Sequence, residues 1–188
     1  MVESLPKEYC LFTFDFSGSG KSEGENITYG LRECDDIDSV LKHLYEERGF
    51  KEFVIWGRSM GAVASLLYVL KMTEKAETNK HSLRKIDKIK CLVLDSPFSS
   101  FDEITRHIAR KRFSVPEFLI GTVVYFMKES LETIMYSQET QQSFNPFQIK
   151  FDQNINIKVP TVFLYSEKDD VVPKEHSEEI ISRFHSKF

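Results

Sequence analysis

Apolar residues occur in short runs separated by amphipathic stripes, and the alternation predicts the order of elements. Tyr9 to Phe16 is an aromatic-rich apolar run ending in Ser17-Gly18-Ser19-Gly20, the pattern of a strand followed by a turn. Ile37, Val40, Leu41, Leu44 and Tyr45 recur at helical spacing, with Gly49 placed to end that helix. Phe53 to Trp56 predicts a buried strand, Gly57 to Gly61 a sharp turn, and Ala62 to Met72 a helix rich in small residues. Thr73 to Lys90 is polar and predicts a solvated loop with a frayed helix end. Cys91 to Leu94 predicts another strand, closing on the turn Asp95-Ser96-Pro97-Phe98-Ser99-Ser100. From Phe101 to Phe151 the periodicity is helical, including Pro116 to Met135, and predicts a cap-like segment over 101–151. Thr161 to Tyr165 is a last buried strand, and Pro173 fits the first position of a terminal helix reaching Phe188.

Short apolar strands alternating with helices predict one α/β domain over 1–188, a mainly parallel sheet with helices on both faces, because parallel strands need crossover helices. Chemistry is then expected at the carboxyl ends of the strands. A chain of 188 residues suits a single core, and 41% hydrophobic with 29% charged residues lies outside the disordered and disulfide-scaffold classes. The 25 basic residues are outnumbered by 29 acidic ones, so charge gives no reason to expect nucleic acid as a partner. The longest apolar runs, Gly61 to Leu70 and Phe118 to Met127, are half the roughly 20 residues a bilayer requires, so no transmembrane segment is expected. Met1 to Pro6 carries no secretory pattern, and three scattered cysteines, Cys10, Cys34 and Cys91, fit reduced thiols in a cytoplasm. The five histidines, at 43, 81, 107, 176 and 185, read as surface residues without metal-ligand spacing, so neither metal nor cofactor is expected.

One segment carries chemistry. Gly57-Arg58-Ser59-Met60-Gly61 fits G-x-S-x-G with a strand before it and a helix after it, the context in which this motif presents a nucleophile. A turn that tight forces the central residue into a strained conformation and brings backbone close on either side, which predicts glycine at both Gly57 and Gly61 for steric reasons. Ser59 would then expose its hydroxyl, with the Met60 N–H as an oxyanion donor at the start of the following helix. Arg58 either attracts a substrate carboxylate or faces solvent at the helix start.

With these residues in place the chain resembles the α/β-hydrolase superfamily, in the branch of serine aminopeptidase-like (S33) and acyl-hydrolase members. The similarity runs through Phe14 to Gly24, which looks like the family's D-x-x-G-x-G-x-S-x-G turn, then the elbow at Ser59, then Leu94 to Ser100. Ser166 to Pro173 is similar to the family's G-x-x-D-x-x-V-P segment and maps the triad's acid onto Asp169, with Asp170 and Asp95 as alternatives. The resemblance implies acyl transfer from an ester, thioester or amide to water, with a small-molecule, acyl or peptide substrate. It also implies a histidine after a further strand. Neither His176 nor His185 matches that position, and both ends stop short of the family's pattern, so an incomplete sheet and weak or absent activity are expected. Without a histidine, general acid–base assistance of about 10²- to 10⁴-fold is lost.

Two rival readings differ in class. A P-loop would need glycine where Asp15 stands, and a dinucleotide fingerprint would need one at Glu23. A non-catalytic binding module using the helices of 101–151 is the stronger rival, although Phe113, Phe118, Tyr125 and Phe126 are expected in the core.

Overall fold

The computed structural model describes residues 8–78, 85–113, 116–136, 155 and 157–184. The sites read at His81, His185 and 137–151 lie outside them. The elements are α1 (Glu33–Glu46), β1 (Phe53–Arg58), α2 (Met60–Thr78), β2 (Ile89–Asp95), α3 (Phe101–Phe113), α4 (Glu117–Tyr136), β3 (Thr161–Leu164) and α5 (Lys174–Ser182).

Among the described residues the strands form one parallel sheet in the order β1-β2-β3. Ile55 pairs with Leu92, and Leu94 with both Gly57 and Phe163, so these residues share a face. That face lies under α2, whose Ala62, Val63, Ala64, Leu66 and Val69 are fully buried and form the core with Leu92 and Leu94. Small residues at the start of α2 let the helix approach the sheet closely, as the sequence pattern requires. The opposite face is open: Val54, Trp56, Val162 and Leu164 remain 40% or more exposed. Helices therefore cover one face of the described sheet where the alternation predicts two.

Three further expectations are corrected. Tyr9 to Phe16 forms no strand among the described residues, and Tyr9, Leu11 and Phe12 are exposed. An apolar run specifies an extended chain, but a strand exists only where a neighbour completes the ladder, and no ladder partner lies beside this run among the described residues. Within the polar stretch Thr73 to Lys90, expected as a loop with a frayed helix end, α2 continues to Thr78, residues 85–86 are helical and β2 begins at Ile89. Among the described side chains of α4 only Ile120 and Val124 are buried, against Ala109 of α3, while Phe118, Tyr125 and Phe126 are each more than 60% exposed. Ile120 and Val124 are one i, i+4 pair; the aromatics occupy the other sides of a helix that is apolar nearly all round. The side chain of Phe113 is outside the described residues.

Candidate active site

Three strand ends meet at one edge of the sheet. Arg58, Asp95 and Leu164 are in register across β1, β2 and β3, so the residues that follow them lie at the carboxyl edge, where open α/β sheets place ligands. Ser59 follows β1, Ser96 follows β2, and Asp169 lies in the loop after β3.

Ser59 turns the chain from β1 into α2 with φ +49, a left-handed conformation that side-chain-bearing residues rarely adopt. The turn is held by the Ser59 N–H donating to Asp95 O at 2.8 Å, and by the Ser59 carbonyl accepting from Ala62 N at 2.9 Å and Val63 N at 3.1 Å. Gly57 permits it: a Cβ there would lie 2.2 Å from Gly61 O and 2.6 Å from Ala62 N. Gly61 is different, and the steric expectation for it is corrected. A Cβ on Gly61 would meet only Phe16 Cε2, at 3.9 Å, because the helix has already turned away from the strand. Ser59 itself is half-buried. Met60 opens α2, so its N–H has no intrahelical acceptor and stands at the positive end of the helix dipole.

Asp169 is anchored by its surroundings. Its Oδ1 accepts from Val171 N and Val172 N, each at 2.9 Å, and its Oδ2 accepts from Ser96 Oγ at 3.2 Å. Partial burial pushes the carboxyl upward, but the Val172 and Val171 N–H groups, the Ser96 hydroxyl and the Arg58 charge outweigh it and hold the group below its ordinary 3.8. Asp170 is engaged elsewhere: its carboxylate pairs with Lys111 Nζ at 2.9 Å, and its carbonyl oxygen lies 3.2 Å from His107 Nε2. Asp95 faces Arg58 at 3.8 Å. Arg58 is well exposed on the open side of the sheet and lies between two carboxylates rather than free at a helix start.

Ser96 was not legible as a site residue. It also has a left-handed φ, +51, and its hydroxyl reaches both Asp95 and Asp169, the latter 73 positions away in the chain. Its one signal in the sequence was the place it occupies, just after an apolar strand. Asp15 closes the Gly18–Gly20 turn by accepting from Lys21 N, six residues on, at 3.0 Å.

The hydrogen bonds of Asp169 give a paired expectation. Asp169→Asn, which removes the charge that three donors converge on, should cost about 1–2 kcal/mol after allowance for partial exposure. Asp170→Asn, which removes one exposed ion pair, should cost under about 1 kcal/mol. Because the folded pKa of Asp169 lies below the ordinary value, its contribution is present at neutral pH and lost as pH falls through the folded value. Urea midpoints measured from pH 7 to about pH 3 should therefore fall more steeply in the wild type than in Asp169→Asn. Equal slopes would show that the carboxylate is not anchored.

Among the described residues no histidine hydrogen-bonds to Ser59 or Asp169. His107 meets Asp170, and His176 meets Ser99 Oγ through Nδ1 at 2.9 Å. His176 is only 5% exposed, which corrects its assignment to the surface. It lies on the inner face of α5 with Ser177 and Ile180, and burial pushes its pKa down despite Glu103 and Glu179 nearby.

A family model described as Serine aminopeptidase, S33 matches residues 6–142. The chain belongs to that family. This S33-family chain is 25% identical over 172 residues to YqkD of Bacillus subtilis, covering 90% of itself and 49% of YqkD. It is 26% identical over 187 residues to YfhR of Escherichia coli K12, covering 97% of itself and 51% of YfhR. It thus spans about half the length of the curated relatives it matches. Two crystal forms of the Pyrococcus furiosus esterase Pf2001 superpose with TM-scores of 0.53 and 0.55 at 24% and 23% identity, over 90% of this chain and 54% of that one. That likeness shows the α/β-hydrolase fold, here with an open three-stranded sheet. Among the described residues no helix is long and apolar enough to cross a membrane.

Proposed function

We propose that this chain carries the nucleophile and acid of a serine hydrolase that cleaves an ester, thioester or amide through an acyl-enzyme on Ser59. The single observation that carries the reading is the left-handed Ser59 at a strand-to-helix turn that only glycine at 57 permits. Ser59 Oγ attacks the acyl carbon, its proton passes to the leaving group as the carbon–heteroatom bond breaks, and water then releases the acid and regenerates the hydroxyl. The Met60 N–H donates to the oxyanion, and Asp169, held ionised by Ser96 and two backbone N–H groups, orients the histidine that family members place between acid and serine. The segment 101–151 acts as a cap over a small acyl or peptide substrate, with the exposed aromatics of α4 as its apolar surface. The unpaired cysteines suit a reducing cytoplasm.

The exposure of Phe118, Tyr125 and Phe126 also favours a second reading, a non-catalytic module that binds through α4. Hydrolysis of p-nitrophenyl butyrate by the full chain separates the two. Slow release of p-nitrophenol that disappears in Ser59→Ala is expected; release that survives in Ser59→Ala, or none above buffer, points to the binding module.

A further inference from the structure

α3 and α5 face each other across a cavity of about 280 Å³ that the turn presenting Ser59 does not line. His176 and Glu179 are three residues apart on α5, a spacing that puts both side chains on one helix face. Glu103 of α3 lines the same cavity. One ring nitrogen of His176 and one carboxylate oxygen from each glutamate all lie within 4.8 Å of one another. We propose that Glu103, His176 and Glu179 bind a divalent first-row metal ion, with Zn²⁺ the best match to one imidazole and two carboxylates.

Proton bookkeeping at Ser99 supports a ligating role beyond proximity. The Ser99 hydroxyl makes a short hydrogen bond to Glu179 Oε2 and sits 2.9 Å from His176 Nδ1. Ser99 has one proton and an ionised carboxylate can only accept, so that proton goes to Glu179 and His176 Nδ1 must be the donor to Ser99 Oγ. The imidazole is therefore in the Nδ1–H tautomer, which leaves the lone pair on Nε2. That nitrogen has no hydrogen-bond partner among the described residues, and since none of their buried side-chain nitrogens or oxygens is left unpaired, it is open to the solvent of the cavity. A hydrogen bond that fixes the tautomer of a buried histidine and leaves its other nitrogen bare is the outer-shell arrangement of histidine metal ligands.

The charges around the cavity permit a cation. Arg106 lines it but is turned to Asp102, with bonds of 2.7 and 3.3 Å, while Arg110 also lines it and Glu175 adds a third carboxylate. Glu179 also pairs with Arg183 through Oε1, and each carboxylate oxygen retains a second lone pair for a metal. Three protein ligands leave positions open for water or a further donor. The sequence reading found no metal-ligand spacing because the set is not local: His176 and Glu179 meet only as an i, i+3 pair on one face of α5, and the third ligand comes from a helix some seventy positions earlier in the chain.

Titration of the full chain with Co²⁺, read by its visible d–d absorption and by competition with Zn²⁺, tests the proposal. One equivalent should produce a band that Zn²⁺ abolishes. Glu103→Gln, at an exposed position where circular dichroism should be unchanged, should weaken Co²⁺ binding by at least about tenfold. Ser99→Ala, which releases the His176 tautomer, should weaken it by about 10- to 100-fold. His43→Ala, on the surface of α1, should leave the titration unchanged, as should Ser59→Ala, which makes the result independent of the hydrolase reading. Absence of a band at about 1 mM Co²⁺, far above the affinity of a three-ligand site, would overturn the proposal. So would a band of undiminished affinity in Glu103→Gln, or one lost in His43→Ala.

Discussion

Gly57→Ala is expected to destabilise the protein by about 3 kcal/mol, at the upper end of the cost of forcing an extra methyl into a close-packed interior. For a chain of this length that corresponds to a fall in Tm of roughly 6–12 °C. The new Cβ would lie 2.2 Å from Gly61 O and 2.4 Å from Gly61 C, and these are backbone atoms of the first turn of α2 with no rotamer to yield. Relief requires moving α2 away from β1, and α2 gives the core more buried residues than any other element: Ala62, Val63, Ala64, Leu66, Tyr68 and Val69 are all at most 1% exposed. Gly61→Ala is the contrasting case. Its Cβ has only Phe16 Cε2 within 4 Å, and alanine in a first helical turn is favoured over glycine by up to about 1 kcal/mol. The second variant should melt within a few degrees of the wild type. Equal losses from both would contradict the asymmetry of the turn.

Ser59→Cys is expected to create a thiol that reacts with iodoacetamide at pH 7 about tenfold faster than the exposed Cys10, with an apparent pKa below the usual value of about 8.5. The backbone at 59 already holds φ +49 with a side chain present, so the sulfur occupies the place of Oγ without new strain. Two influences favour the thiolate there: the N-terminus of α2, which begins at Met60, and the neighbouring Arg58 cation. The other thiols do not obscure the measurement. Burial, reinforced by Asp35, pushes the Cys34 pKa up to about 12, and Cys91 is only half exposed in β2. A lower pKa means a larger thiolate fraction at neutral pH, so the profile of rate against pH should shift to the acid side of that of Cys10. A midpoint at or above 8.5 would show that the helix end does not stabilise negative charge at this position, and the oxyanion role of Met60 would lose its basis.

How much the sequence reveals depends on how local the cause is. The turn at Ser59 is legible because its steric requirement lies within five consecutive residues, and Gly57 meets it; Gly61 shares the letter pattern but not the cause. The parallel strands β1, β2 and β3 are legible because each is a run of apolar residues closed by a turn. Tyr9 to Phe16 has the same composition and forms no strand, since pairing depends on a neighbour that no local pattern specifies. His176 reads as a surface residue on an amphipathic helix until α3 and the Ser99 turn close over it. Ser99 is 77 positions away in the chain. Phe118 and Tyr125 mislead in the opposite direction: apolar character predicts burial, but α4 buries only the Ile120 and Val124 side. Asp169 could be placed at a strand end, whereas its hydrogen bond from Ser96 could be found only in three dimensions.

The most direct test is to treat the wild-type chain with a fluorophosphonate, digest it, and locate the adduct by mass spectrometry. The account predicts one phosphonylated peptide, with the modification on Ser59 and no adduct in Ser59→Ala. Modification spread over other hydroxyls, with Ser59 no more labelled than Ser4 or Ser166, would contradict it.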